Sequence, residues 1–261
     1  MSNPVAQGQK NRKGRFGVSM KVFAALSLGL LGIYLFELWS DRAKLNYRLI
    51  ATVEIDGKLV EGSSVAQAKL WRIWLNPLAF VMGGRPTTTE GKFTAEAVVV
   101  DLGERGLLFV TLAGPNGGNN GRWAGYPQML YRQLVPGERK VHVKTDIDQL
   151  AEIEQLPPGS GVDIPPETYP QMVRFRDLND PASAQYVRPD RLEDSFGAGV
   201  RLIKLRIETT HDEPVYTINQ RLRWLDDPRY QSGALDKLNP DFWSFASTIG
   251  AGAFKMGFQS P

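Results

Sequence analysis

The stretch that decides the fold is Tyr47–Val65, with the sequence YRLIATVEIDGKLVEGSSV. Apolar residues recur in it at every second position up to Ile55, which is the period of a strand that buries one face. Asp56-Gly57 follows at once, and this dipeptide favours a two-residue hairpin turn because both turn residues need positive φ. An extended stretch continues from the turn to Ile73. The sequence therefore predicts a long antiparallel hairpin early in the folded domain.

Strand and helix signals alternate along the rest of the chain. Thr94–Leu102 and Leu107–Leu112 form a second predicted hairpin around Gly103–Gly106, and the Gly-rich stretch Gly114–Gly125 is expected to be a surface loop. These signals predict an α+β fold, with short helices and one mostly antiparallel sheet. The remaining predicted strands are Lys140–Thr145, Met172–Arg176 and Val200–Thr209, and the predicted helices are Gln149–Gln155 capped by Asp148, Pro189–Phe196, and Pro240 to about Ile249 capped by Asn239.

Charge is distributed unevenly along the 261 residues. The net charge is +3, yet residues 1–21 alone hold five basic side chains and no acidic one, at Lys10, Arg12, Lys13, Arg15 and Lys21. The high isoelectric point therefore belongs to a short tail, and the rest of the chain is weakly acidic. Nucleic-acid binding needs cations clustered on the folded surface, so no nucleic-acid partner is expected.

A long apolar run, Val22–Trp39, begins where the basic tail ends. Eighteen residues at the helical rise of about 1.5 Å reach roughly 27 Å, close to the hydrocarbon thickness of a bilayer. The positive charges before the run predict a cytoplasmic N-terminus and a domain that crosses the bacterial inner membrane into the periplasm. The lipid bilayer is thus the first predicted partner, and the predicted anchor residues are Val22, Phe23, Leu26, Leu30, Leu31, Ile33, Tyr34, Leu35, Phe36 and Trp39.

This run has two alternative interpretations. A cleaved signal peptide needs small residues before its cleavage site, whereas this exit sequence offers Leu38 or Asp41. A buried core helix usually has a polar stripe, and this run has only Ser27. A single-pass helix is therefore preferred. The predicted organisation is a tail at 1–21, a transmembrane helix at 22–39, a periplasmic domain at 40–230 and an aromatic, Gly-rich segment at 231–261.

The sequence contains no strong catalytic or metal-binding motif. Cysteine is absent, and His211, Asp212 and Glu213 are consecutive, so they cannot easily face one ion. Ser63 and Ser64 lie within a predicted strand and not on a nucleophile turn. Gly114–Gly125 lacks the Lys-Ser/Thr pair of a phosphate-binding loop. No catalytic residue is assigned, and neither a metal nor a cofactor is expected.

Two aromatic stretches are candidates for contact with a partner or with lipid. Leu70–Met82 and Phe242–Phe258 combine aromatic residues with small or aliphatic ones. Either stretch could be core, but exposed aromatic rings bury a large area at low entropic cost when a partner binds. The predicted contact residues are Trp71, Trp74, Phe242, Trp243 and Phe245.

Three segments together resemble an uncharacterised family of short, membrane-anchored bacterial proteins, chiefly proteobacterial. The segments are Tyr47–Val65, Met172–Pro181 (MVRFRDLNDP) and Asp194–Leu202 (DSFGAGVRL). The resemblance covers most of residues 45–226, while the Gly114–Gly125 loop and the tail after Asp227 look elaborated. No activity is attached to the family, so the resemblance implies an envelope protein and no catalytic residues.

These features favour a membrane-anchored periplasmic module that binds or assembles with other proteins and has no catalytic activity. Such a module could be an accessory subunit of an inner-membrane complex, with a membrane or envelope protein as its partner. The alternative from another class is a membrane-tethered envelope hydrolase with a carboxylate site that the sequence does not identify.

Overall fold

The computed structural model describes residues 22, 25–32, 42–74, 87–115, 122–135, 145–230, 234–236 and 245–257. The chain divides into two compact units, Met1–Arg42 and Ala43–Pro261. In the first unit, residue 22 and residues 25–32 (α1) are helical with exposed side chains. No helix among the described residues is both long and apolar enough to cross a membrane. Four anchor residues, Val22, Leu26, Leu30 and Leu31, fall on this helical part. The others lie outside the described residues: Phe23, Ile33, Tyr34, Leu35, Phe36 and Trp39.

The second unit is α+β, with antiparallel strands and short helices, as the sequence predicts. Its strands are β1 (Arg42–Ile55), β2 (Lys58–Trp74), β3 (Thr87–Glu96), β4 (Val98–Asp101), β5 (Leu107–Val110), β6 (Gly161–Asp163), β7 (Met172–Phe175), β8 (Ala184–Val187), β9 (Val200–Thr209) and β10 (Lys255–Met256). Its helices are α2 (Arg122–Leu134), α3 (Asp146–Glu154), α4 (Glu193–Phe196) and α5 (Ile218–Arg221). Short 3₁₀ turns lie at Gly103–Arg105, Pro166–Thr168, Pro181–Ser183, Arg223–Asp226, Pro228–Tyr230, Phe245–Ser247 and Ala251–Ala253.

The described strands form two sheets, whereas the sequence predicts one. A six-stranded sheet has the order β10-β3-β2-β1-β9-β6, and a four-stranded sheet has the order β4-β5-β7-β8. The predicted strand Thr94–Leu102 is divided between them, because the chain leaves β3 at Glu96 and enters β4 at Val98. Ala97, between the two strands, donates its backbone N–H to Phe254 at 2.8 Å. The chain thus passes from one sheet to the other at a single residue, Ala97, as strands do at the corners of packed sheets.

The predicted hairpin at Asp56-Gly57 is confirmed. β1 ends at Ile55 and β2 begins at Lys58, and both turn residues have positive φ, 48° at Asp56 and 83° at Gly57. Burial alternates along β1 as the apolar period requires. The predicted strands at Met172–Arg176 and Val200–Thr209 are also found, as β7 and β9.

Three helix predictions need correction. α3 begins at Asp146, not after Asp148, because the Thr145 side chain accepts the Asp148 N–H and Asp148 in turn accepts the Thr145 N–H. Asp148 is therefore the third helical residue of a capping box, and Thr145 is the cap. Of the predicted helix Pro189–Phe196, only the last four residues form α4. Near Ile249 the chain forms the 3₁₀ turn Phe245–Ser247, while Asn239 and Pro240 lie outside the described residues.

Two further predictions involve segments that are only partly described. Residues 140–144 of the predicted strand Lys140–Thr145 lie outside the described residues. The predicted loop Gly114–Gly125 is wrong at its end, where α2 begins at Arg122. Helix forms there because Tyr126 and Leu130 stand four residues apart and are both buried in the core.

The buried side chains of the described residues form two core clusters. The first includes Leu49 and Val53 of β1, Leu130 of α2 and Ile153 of α3. The second is rich in aromatic rings, with Phe109 and Phe175 5.4 Å apart and Phe175 and Trp224 5.8 Å apart between centroids. The described part of the C-terminal segment contributes to this second cluster through Ala246, Ile249, Ala251, Ala253 and Phe254.

Candidate binding groove

A groove of about 530 Å³ lies between β8, β9 and the chain that leads into β7. Its volume falls within the range of small-ligand and peptide sites. Four prolines form much of its wall: Pro115, Pro166, Pro170 and Pro189. Pro166 begins a 3₁₀ turn, and Tyr169 before Pro170 is extended, at φ −57° and ψ 138°. Proline favours both conformations, since it fixes its own φ and keeps the preceding residue out of the helical region.

A β-bulge shapes the β9 side of the groove. Thr52 of β1 pairs with Lys204, and the next residue, Val53, pairs with Leu202. Ile203 is therefore an extra residue with no partner in β1. Successive side chains of a regular strand point to opposite faces, but Leu202 and Ile203 both line the groove. The bulge thus adds a side chain to the groove, as bulges beside binding sites do.

Two large hydrophobic side chains in the groove are exposed. Tyr186 of β8 is 44% exposed, and Ile203 is 43% exposed. Among the side chains that the structure describes after Arg42, five large hydrophobic ones are exposed to this degree: Leu59, Tyr186, Ile203, Val215 and Tyr216. Two of the five therefore meet in a single groove. The Tyr186 ring packs against the Phe245 ring at 5.6 Å between centroids, so that Phe245 supports it from outside the lining.

The polar side chains that line the groove differ in their contacts and in their burial. Asp190 pairs with Arg188 at 2.6 Å, and this hydrogen bond lowers the pKa of Asp190. Glu167 is exposed and forms no ion pair with any described residue. Gln171 is 9% exposed, and its side-chain oxygen accepts no hydrogen bond from the described residues. Burial raises the pKa of Tyr169, so its hydroxyl stays protonated at neutral pH.

A smaller cleft of about 140 Å³ at the start of β1 is lined by paired charges. Lys44 contacts Glu213 at 2.5 Å, and this hydrogen bond lowers the pKa of Glu213. Gln67, itself buried, donates to Glu213 at 2.9 Å, and Arg48 pairs with Asp212. Two of the three consecutive residues considered for a metal are thus held in ion pairs. The described residues contain no group of three or more metal-ligating side chains.

Other polar side chains, including Ser63 and Ser64, also have structural positions or contacts. Ser64 donates to the backbone oxygen of Glu96 at 3.0 Å, and Ser63 is exposed in β2. Asp177 and Asp180 accept backbone N–H groups in a turn, from Asn179 at 2.9 Å and from Ala182 at 3.0 Å. These contacts satisfy loop backbone groups and do not converge on a common site.

The five contact residues predicted from the sequence are placed as follows. Trp71 is half-buried in β2 and does not line the groove. Trp74 ends β2, and its side chain lies outside the described residues, as do Phe242 and Trp243. Phe245 is brought next to the groove through its contact with Tyr186.

Sequence reasoning missed the residues that form the groove itself. Pro115, Pro166 and Pro170 lie in stretches rich in proline and glycine, which favour connections, and Pro189 begins a predicted helix. Tyr186 is a single aromatic residue in a short strand. One signal was present at Ile203: the apolar positions in β9 change phase between Leu202 and Ile203, from even to odd numbers. Such a change of phase is what a bulge produces.

Two of the segments that carry the family resemblance, Tyr47–Val65 and Asp194–Leu202, are in contact with each other and with Arg105. Arg105 contacts Asp56 at 2.7 Å and donates to the backbone oxygen of Ala198 at 2.5 Å. The Asp56 N–H donates to Gly199 at 3.0 Å. These contacts connect the turn of the first hairpin to the loop before β9, so the residues that form them have a structural role.

A comparison of the chain with protein-family models, with curated proteins and with solved structures found no match. The geometry of the described residues is therefore the basis for assigning a role to the groove.

Proposed function

We propose that this chain is a single-pass membrane protein that acts as a binding or assembly module in the bacterial periplasm, without catalytic activity. The run Val22–Trp39 anchors it in the inner membrane, and the basic residues 1–21 stay in the cytoplasm. Anchoring raises the effective concentration of the domain near membrane and envelope proteins. Membership of the membrane-anchored family described above is part of this proposal.

The observation that carries the proposal is the meeting of Tyr186 and Ile203 in one groove. Exposed large hydrophobic side chains that cluster in a concave surface indicate contact with a partner. The Phe245 ring behind Tyr186 gives this surface a fixed shape, which favours binding because fewer groups must be ordered. We therefore assign the partner-binding site to this groove.

Two carboxylates that line clefts, Asp190 and Glu213, are poorly suited to act as general acids. A glycosidase-type mechanism needs one carboxyl group whose pKa is raised so that it can act as a general acid. Asp190 and Glu213 line clefts, but neighbouring cations lower the pKa of each. Both are therefore ionised at neutral pH, which suits salt bridges more than proton donation.

The proposal is tested by the size of the assembly that mild detergent extracts from membranes. We expect the wild-type full-length chain to elute in an assembly much heavier than the single chain. Ile203→Asp places a charge in the apolar groove and should release the chain from the assembly. The matched control is Val215→Asp, at an exposed residue outside the groove, and it should leave the assembly intact. A wild-type chain that elutes alone, or equal behaviour of the two variants, would contradict the proposal.

A further inference from the structure

One edge of β9 is open beside the groove. β6 pairs with residues Arg206 to Glu208 of β9, and the Ile164 N–H extends the contact to Leu205 at 2.8 Å. From Val200 to Lys204, β9 has β1 on one side and no described strand on the other. An open strand edge presents backbone N–H and C=O groups that an extended peptide can pair with. The open part includes Leu202 and Ile203, the two β9 residues that line the groove.

The walls next to this edge suit the side chains of such a peptide. Proline has no backbone N–H, so the four prolines in the lining contribute apolar surface without a backbone donor. Tyr186 adds an aromatic face. A strand that lies along β9 would place alternate side chains against these walls, which is how strand addition gains specificity.

The charges of the groove select a cationic ligand. The lining contains two acidic residues, Glu167 and Asp190, and no lysine or arginine. Arg188 already pairs with Asp190, so Glu167 is the carboxylate left for a ligand among the described residues. Tyr186 belongs to the same lining, and aromatic faces attract lysine and arginine side chains.

We propose that the groove binds an extended polypeptide segment that pairs with the open edge of β9 and places a lysine or arginine at Glu167. This inference rests on the function proposed above and names the chemistry of the partner. A glycan would also offer donors, but it would neither pair with a strand edge nor carry a positive charge to pair with Glu167.

The test uses random dodecapeptides displayed on phage and the full-length chain in detergent micelles. Peptides that bind the wild type are selected first. They are then sorted by their loss of binding to two groove variants, Tyr186→Ala and Ile203→Ser. Tyr216→Ala, at an exposed tyrosine outside the groove, is the matched control, and circular dichroism checks that each variant is folded. We expect groove-dependent peptides to be enriched in lysine and arginine and depleted in aspartate and glutamate.

One selected peptide is then synthesised and its binding is measured by fluorescence anisotropy. Glu167→Gln should weaken binding about threefold to tenfold, because it removes a charge-assisted hydrogen bond. Glu104→Gln, at an exposed acid outside the groove, should have no effect.

Three results would overturn the inference. Groove-dependent peptides without basic residues would refute the assigned charge. The absence of groove-dependent peptides would refute a polypeptide ligand, and groove-dependent binding of chitotetraose would then identify a glycan. Equal binding by wild type and Glu167→Gln would refute the role of Glu167. In each case the effect of Ile203→Asp on the extracted assembly is measured separately, so the proposed function can stand when this inference fails.

Discussion

Gly199 shows how one residue fixes the contact between the first hairpin and the loop before β9. Its φ is +82°, and a Cβ at this position would lie 2.3 Å from the Asp56 carboxylate. We predict that Gly199→Ala destabilises the protein by about 1–2 kcal/mol through its left-handed conformation, and somewhat more because the Asp56 side chain must move away from Arg105. Thermal unfolding of the full chain in detergent measures the loss.

A second glycine provides the control for this prediction. Gly159 has a similar φ of +84°, but no atom lies within 4 Å of the place of its Cβ. Gly159→Ala should therefore show the backbone strain without the clash. Equal losses at the two positions would mean that the contact with Asp56 contributes nothing.

Glu213 should make stability depend on pH in the acid range. The hydrogen bond from Lys44 lowers its pKa below the usual 4.5, so the folded state favours the ionised carboxylate. The resulting stabilisation is fully present above the unfolded pKa and is lost as the pH falls through the lower, folded pKa. We predict that Glu213→Gln is less stable than wild type at pH 7 and that the difference disappears in strong acid. Unfolding midpoints measured across this range test it, and a difference that persists in acid would contradict it.

At the scale of elements, the capping box fixes where α3 begins. Thr145 and Asp148 exchange hydrogen bonds between side chains and backbone at the first turn. We predict that Thr145→Ala lowers the free energy of unfolding by about 1 kcal/mol, which is typical of a lost N-cap. Thr145→Ser keeps the oxygen that accepts the Asp148 N–H and should retain most of the stability. Chemical denaturation of both variants measures the free energy of unfolding. Equal losses of stability would show that the side-chain oxygen at position 145 does not stabilise the start of α3.

The elements also show how far sequence reasoning reaches. The first hairpin could be predicted because Asp-Gly at a two-residue turn has a local physical cause. The start of α3 was missed because Thr145 also fits the alternating pattern of the preceding residues, and capping depends on a reciprocal hydrogen bond. The division into two sheets at Ala97 could not be predicted, since a single small residue carries no signal of its partner, Phe254. The groove was missed for the same reason, because it joins residues from Pro115 to Ile203 that are distant in the sequence.

At the scale of the whole molecule, the sequence predicts a fixed orientation in the membrane. The five basic residues before Val22 should hold the N-terminus in the cytoplasm. We predict that a periplasm-dependent reporter fused after Pro261 is active and that alkaline washing leaves the full chain in the membrane. Substitution of the five basic residues with glutamine should weaken this orientation. Activity of a cytoplasm-dependent reporter at the same position, or release of the intact chain by the wash, would contradict the prediction.

The measurement that tests the central claim most directly is site-specific photocrosslinking in intact cells. A photoreactive residue replaces Ile203 in the groove or, as a control, Val215 outside it. The account predicts a distinct crosslinked product from position 203 that is lost when Tyr186→Ala is added, and no such product from position 215. The same products from both positions, or none from position 203, would contradict the assignment of this groove as the place where the protein binds its partner.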